Sequence, residues 1–193
     1  EERNAYIVCT SVSTGIPKGV PISHSNLEYF IENFGTTEFN LEQSDRCLQM
    51  FELSFDVSIS SFLIPLLKGA CVFPVGYEGI RYVQVLKFIQ EYKLTSLQIV
   101  PSVIRLAGPL LKRLKFPWVK NCIVTGEATF ADLIPGWQYC VSNAQIFNFY
   151  GPTETTIYCS VYKLDKSKIK EYNGVISIGK PMGCLEILIL DEN

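Results

Sequence analysis

Short runs of β-branched and apolar residues alternate along this chain with stretches in which apolar positions recur every three or four residues. Residues 5–10 (AYIVCT), 46–51 (RCLQMF), 70–74 (ACVFP), 96–100 (SLQIV), 121–125 (NCIVT) and 145–149 (QIFNF) have the first pattern, which predicts strands. A further short strand is expected near residues 18–22, and two more at 175–178 and 186–190. Ile59, Phe62, Leu63 and Leu66 follow the i, i+3, i+4, i+7 spacing of an amphipathic helix, which Pro65 is expected to bend or end. The same period recurs at Val85, Phe88, Ile89 and Tyr92, and again at Val103, Leu106, Ala107 and Leu110. Ser25 and Glu28 have the spacing of a capping box, so a helix is expected to start there and run towards Phe34.

Strands and helices that alternate in this way build βαβ units. The expected fold class is therefore α/β, with a largely parallel sheet flanked by helices. Such sheets bind ligands beyond the carboxyl ends of their strands. The loops after Thr10, Phe51, Val100, Thr125 and Phe149 are where chemistry is expected.

Composition narrows the function classes. Of 193 residues, 48% are hydrophobic, which is enough apolar surface to offset the ordering entropy of a folded domain. The 17 Lys and Arg are outnumbered by 19 Asp and Glu, so the clustered basic excess needed to neutralise nucleic-acid phosphates is missing. No apolar run approaches the roughly 18 residues of a membrane span. Neither nucleic acid nor membrane is expected as a partner. The seven cysteines are odd in number, contain no C-x-x-C pair and have one histidine for company. They read as buried thiols, not as a disulfide framework or a zinc site, which fits a reducing, cytoplasmic location.

The segment after the first strand is different. Residues 10–19 gather the hydroxyls of Thr10, Ser11, Ser13 and Thr14 with Gly15, Gly19 and Lys18. Hydroxyls and free backbone N–H groups in a glycine-containing turn form a concave donor surface for an anion, and the lysine adds positive charge. This is not the G-x-x-x-x-G-K-S/T loop of the P-loop nucleotidases. Gly174, Gly179 and Lys180 do have that spacing, but Pro181 stands in place of the magnesium-binding hydroxyl and the intervening residues read as a strand.

Residues 6–19 (YIVCTSVSTGIPKG) closely resemble the phosphate loop of the adenylate-forming superfamily, which includes acyl-CoA synthetases, luciferases and the adenylation domains of non-ribosomal peptide synthetases. Three further segments agree in the same order. Residues 54–58 (SFDVS) resemble the FDxS signature of the amino-acid-activating branch, 125–128 (TGEA) its small-Gly-Glu-Ala turn, and 148–156 (NFYGPTETT) the NxYGPTE hallmark. Residues 178–181 (IGKP) resemble the family's IGxP turn, so the likeness covers the whole chain.

The resemblance implies a reaction in which a carboxylate attacks the α-phosphorus of ATP to give an acyl adenylate and pyrophosphate. Two anions must be held together and their charge screened. By resemblance, Thr10, Ser11, Ser13, Thr14, Gly15 and Lys18 grip the β- and γ-phosphates, Thr153 contacts the α-phosphate and Glu154 holds Mg²⁺. Lys18, Thr153 and Glu154 would form the catalytic set. Tyr150 would pack on adenine, with Gly126, Glu127, Asn148 and Gly151 around the base. Asp56 would provide the counter-charge to an α-ammonium group, the mark of amino-acid activation. Val57, Ser60, Gln98, Ile123, Thr125, Phe149, Ile157 and Tyr158 would line a side-chain pocket suited to a medium, uncharged group.

The acceptor implied is the phosphopantetheine of a carrier protein, or CoA. The ribose-binding aspartate, the hinge and the lysine of the family's small C-terminal domain have no counterpart in residues 1–193. The chain is therefore expected to be a partial adenylation domain, inactive by itself. An acyl- or aryl-CoA ligase, which Asp56 disfavours, and a degenerate nucleotide-binding module, suggested by Val12 where the family has glycine, stay open as alternatives.

Overall fold

The computed structural model describes residues 3–10, 17–76 and 78–191. Its first element is a hairpin apart from the main sheet. Strand β1 (Asn4–Thr10) pairs antiparallel with β2 (Lys18–Ser23), in a register that sets Thr10 opposite Lys18. The sequence pattern expected β1 to feed the parallel sheet. Instead, β1 and β2 form a two-stranded sheet of their own.

Helix α1 (His24–Gly35) starts earlier than the spacing of Ser25 and Glu28 predicts. Ser23 is the N-cap, and its hydroxyl accepts from the Asn26 backbone N–H at 3.1 Å. The Asn26 side chain in turn accepts from the Ser23 backbone N–H at 3.1 Å. Asparagine thus completes the box that Glu or Gln usually completes.

The main sheet has seven strands. Strands β3 (Arg46–Gln49), β4 (Cys71–Pro74), β5 (Ser96–Ile99), β6 (Asn121–Val124) and β7 (Gln145–Tyr150) are parallel, in the spatial order β7-β6-β5-β3-β4. Beyond β7 lie two antiparallel strands, β8 (Ser160–Lys163) and β11 (Lys180–Pro181). Strands β9 (Glu171–Tyr172) and β10 (Val175–Ile176) form a small separate pair. The sheet is thus largely parallel, as its apolar runs predict.

Side chains alternate across this sheet and sort into two cores. Leu48, Leu97, Ile99, Cys122, Val124 and Ile146 face helices α3 (Arg81–Glu91), α4 (Pro101–Leu111) and α5 (Ile134–Cys140). Cys47, Ile123, Phe147 and Phe149 face the other way, against Phe30 and Phe34 of α1 and Ile64 of α2 (Val57–Leu67). Both faces are therefore covered, the usual condition for a parallel sheet. Helix α2 ends two residues after Pro65, close to where the proline is expected to stop it.

Some expectations fail. Residues 186–190 form no strand, and Leu188, Ile189 and Leu190 are exposed, Ile189 by 96%. An apolar run forms a strand only where a neighbour accepts its hydrogen bonds, and none is paired with it among the described residues. Cys9, Cys71 and Cys184 are exposed instead of buried, Cys71 because β4 is the edge strand. Cys47, Cys122, Cys140 and Cys159 are buried as expected. Burial pushes the Cys47 and Cys122 thiols up to about 12 and Cys140 to about 11, so these three stay protonated and poor as nucleophiles. No described helix is long and apolar enough to cross a membrane.

A polar node ties the end of the sheet opposite the site. Asp45, just before β3, accepts from the Glu42 N–H at 2.8 Å and the Thr95 hydroxyl at 2.7 Å, and lies 3.1 Å from Lys120 Nζ. Burial pushes the Asp45 carboxyl up, but these bonds and Lys120 together outweigh it and hold the group below its ordinary value.

Candidate active site

At the carboxyl ends of β6 and β7 a cavity of about 330 Å³ opens. It is lined by Val57, Thr125, Gly126, Glu127, Asn148, Phe149, Tyr150 and Gly151, together with Ala128, Thr129, Val175, Ile176 and Ile178. Eight expected site residues from three separate stretches of sequence thus share one hollow.

Each wall has a local cause. Gly126 takes φ +86°, a conformation that side-chain-bearing residues rarely adopt, and turns the chain sharply after β6. The next residue, Glu127, reaches back to α4. Its carboxylate accepts from the Ser102 hydroxyl at 2.8 Å and from the Ser102 N–H at 3.1 Å. The negative charge therefore sits on the positive end of that helix and caps a free N–H. Asn148 is fixed on both sides: its Oδ1 accepts from Thr129 at 2.9 Å, and its Nδ2 donates to the Ser177 carbonyl at 3.0 Å. Tyr150 is 46% exposed and presents an open ring face at the rim.

A second cluster lies under Val57. Ser60 Oγ lies 3.0 Å from Gln98 Oε1 and 3.3 Å from Tyr158 OH, and the Tyr158 hydroxyl lies 3.3 Å from the same Gln98 oxygen. All three are buried, and burial raises the Tyr158 phenol far above its ordinary value, so it stays a neutral donor. Ile123 on β6, Phe149 on β7, Ile157 and Tyr158 pack together in the same core. The phenol ring of Tyr158 lies 5.0 Å from the Phe149 ring and 6.1 Å from that of Phe30.

Tyr158 reaches this position through a strained turn. After the 3-10 turn Thr153–Thr155, Thr156 has φ 61° and Ile157 φ 69°, although both are β-branched. The Tyr158 N–H bonds to the Thr156 carbonyl at 2.9 Å, which makes Ile157 the centre of a γ-turn. Each such residue costs on the order of 1–3 kcal/mol, which the surrounding packing has to hold.

Asp56 precedes α2 and is only 7% exposed. Burial raises its carboxyl pKa, although the Thr153 hydroxyl and the backbone N–H groups of Val57 and Ile157 pull it down. Its Oδ2 is buried with no hydrogen-bond partner among the described residues. Such an atom costs about 1–3 kcal/mol, or more when charged, until something donates to it.

Thr10 and Lys18 face each other where the hairpin opens, with the Thr10 hydroxyl 3.4 Å from the Lys18 carbonyl. Ser11, Val12, Ser13, Thr14 and Gly15 lie outside the described residues. Glu154 is exposed and lines a neighbouring hollow with Thr155, Thr156 and Tyr158. Among the described residues no three His, Cys, Asp or Glu side chains converge on a metal site. A hard cation at Glu154 would therefore complete its oxygen shell with phosphate and water, which is the ordinary habit of Mg²⁺.

Sequence reasoning missed the Ser102 partner of Glu127 and the buried Tyr6 hydroxyl on β1, which has no hydrogen-bond partner among the described residues. Pro101 and Ser102 opening a helix did signal a free N-terminus in need of an acceptor.

Residues 1–193 match the AMP-binding enzyme family. The chain is 36% identical over 180 residues to cyclochlorotine synthetase of Talaromyces islandicus, covering 93% of the chain and 3% of that protein. It is 31% identical over 195 residues to surfactin synthase subunit 2 of Bacillus subtilis, covering 97% of the chain and 5% of that protein. Among solved structures, the Vibrio cholerae adenylation domain AlmE, in complex with glycyl-adenosine-5'-phosphate, superposes with a TM-score of 0.80 at 31% identity. That superposition covers 94% of this chain and 34% of AlmE. The chain thus spans a small part of the curated relatives it matches. It belongs to the AMP-binding enzyme family, among the adenylation domains of non-ribosomal peptide synthetases within the adenylate-forming superfamily.

Proposed function

We propose that this chain is part of an adenylation domain that activates an amino acid with ATP as its aminoacyl-AMP, for transfer to a carrier thiol. The observation that carries the reading is Asp56: a buried carboxylate with one oxygen unpartnered, beside Thr153 of the hallmark segment. A fatty or aryl acid has no cation to offer that oxygen, whereas an α-ammonium group does. AlmE, at 31% identity, was solved with glycyl-adenosine-5'-phosphate, a compound of the proposed product class.

In this reading Tyr150, with Gly126, Asn148 and Gly151, receives the adenine in the 330 Å³ hollow. Glu127, after β6, shapes that wall, with its carboxylate held by Ser102 at the start of α4. Thr153 meets the α-phosphate, and Glu154 would hold Mg²⁺. Thr10, Ser11, Ser13, Thr14, Gly15 and Lys18 hold the outer phosphates. Val57, Ser60, Gln98, Ile123, Thr125, Phe149, Ile157 and Tyr158 surround the substrate side chain. A bound cation would supply charge neutralisation at the phosphates. The acceptor is the phosphopantetheine of a carrier protein.

The test is ATP–pyrophosphate exchange by the intact gene product, challenged with panels of amino acids, fatty acids and aryl acids. Exchange is expected with amino acids alone, and Asp56→Asn is expected to abolish it. Exchange driven by fatty or aryl acids and not by amino acids would overturn the reading.

A further inference from the structure

Of the eight residues that surround the substrate side chain in the proposed reading, three reach the 330 Å³ cavity: Val57, Thr125 and Phe149. The other five are packed into the protein. Ser60, Ile123 and Ile157 have no exposed surface, while Tyr158 keeps 1% and Gln98 4%. A void that can hold one water exposes some of the wall around it, so among the described residues no such void adjoins Ser60, Ile123 or Ile157.

The phenol of Tyr158 is what fills this space. Its ring lies 5.0 Å from the Phe149 ring and 6.1 Å from the Phe30 ring. Its hydroxyl lies 3.3 Å from both Ser60 Oγ and Gln98 Oε1. The backbone is fixed as well, by the left-handed turn at Thr156 and Ile157. Swinging the ring out would break the polar contacts to Ser60 and Gln98 and leave a hole between Phe30 and Phe149. Each change costs stability. The composition of the eight residues suits a medium side chain, but their packing leaves room for much less.

We propose that Tyr158 closes the side-chain pocket and restricts the substrate to glycine or alanine. This inference rests on the amino-acid reading of the site. A hydrogen or a methyl fits against Val57, Thr125 and Phe149 at the cavity wall, whereas a longer side chain meets the buried phenol. A core packed at native density resists the extra atoms.

The test is ATP–pyrophosphate exchange by the intact gene product, with amino acids graded by side-chain size from glycine to phenylalanine. Glycine or alanine is expected to exceed leucine and phenylalanine in kcat/KM by about tenfold or more, the discrimination that one or more misplaced methylenes give. Tyr158→Ala reopens the space and is expected to raise the leucine-to-alanine ratio about tenfold, with KM for ATP held within about twofold. The milder Tyr158→Leu moves the ratio in the same direction by less. A merely structural role for Tyr158 would lower exchange with every amino acid alike.

A side chain larger than methyl on the best substrate of the parent would overturn the closed pocket, as would an unchanged size order in a folded variant. If neither variant folds, the size order of the parent decides alone. If no amino acid drives exchange, the amino-acid reading falls and the closed pocket falls with it.

Discussion

A Cβ added to Gly151 would stand 2.4 Å from the carbonyl oxygen of Ile157 and 2.6 Å from the Cα of Tyr158. The glycine at the end of β7 is thus pressed against the strained turn that sets Tyr158 in place. Both contacts are backbone, so no side chain can swing aside. Gly151→Ala is expected to destabilise the domain by about 2–4 kcal/mol, at the upper end of overpacking costs. Chemical denaturation measures this, together with a loss of nucleotide-dependent exchange.

Asp56→Asn is expected to raise stability while it abolishes amino-acid activation. The folded pKa of Asp56 is raised above its ordinary value of 3.8. The folded state therefore holds this proton more tightly than the unfolded chain does. Its stabilising effect is complete below that value and is lost as pH rises through the folded pKa. The gain in Tm of the variant over the parent should accordingly grow from pH 4 to pH 7, by thermal scans across about that range. A gain that does not depend on pH would contradict an ionised, uncompensated carboxylate.

Asp45 gives the opposite sign. Its folded pKa is lowered from 3.8, so the stability it contributes is present above that value and is lost as pH falls through the folded pKa. Asp45→Ala leaves the Thr95 hydroxyl and the Glu42 N–H without their acceptor, and is expected to cost about 2–3 kcal/mol at pH 7. Lys120→Met should cost under about 1 kcal/mol, because that ammonium is half exposed. Urea denaturation of both variants at pH 7 and pH 3 checks the order and the pH dependence.

Thr156→Gly relieves a left-handed conformation at a β-branched residue. Stability is expected to change little or to rise by about 1 kcal/mol. Exchange activity should fall, since a looser turn no longer fixes Tyr158 against Ser60 and Gln98. Equal activity in the variant would mean that the strain has no role in setting the pocket.

Much of this architecture is legible in the residues. The five parallel strands and both hairpin strands are recognisable as short apolar runs, and the central runs 96–100 and 121–125 stand out most because β5 and β6 are covered on both faces. Helix α5 is not recognisable, since Pro135 and Gly136 lie inside it and only Ile134, Trp137 and Cys140 are buried. Strand β8 (SVYK) is too short and mixed to announce itself, and is held by its ladder to β7. Residues 186–190 mislead in the other direction, because hydrophobicity says nothing about who supplies the hydrogen bonds. At the site, the motif segments that hold Thr125, Gly126, Asn148 and Gly151 line one cavity. The Glu127–Ser102 cap spans 25 positions, and no local pattern names its two partners.

The hairpin that carries Thr10 and Lys18 shares no strand ladder with the seven-stranded sheet. Its buried side chains, Val8, Val20 and Ile22, belong to neither of the two sheet-face cores. Apolar contact fixes how far away a body sits but resists sliding and tilting only weakly, because it has no preferred direction. In the proposed function, where this hairpin carries the phosphate contacts of Thr10 and Lys18, a tilt of the hairpin would let triphosphate in and pyrophosphate out without breaking a ladder bond of the seven-stranded sheet.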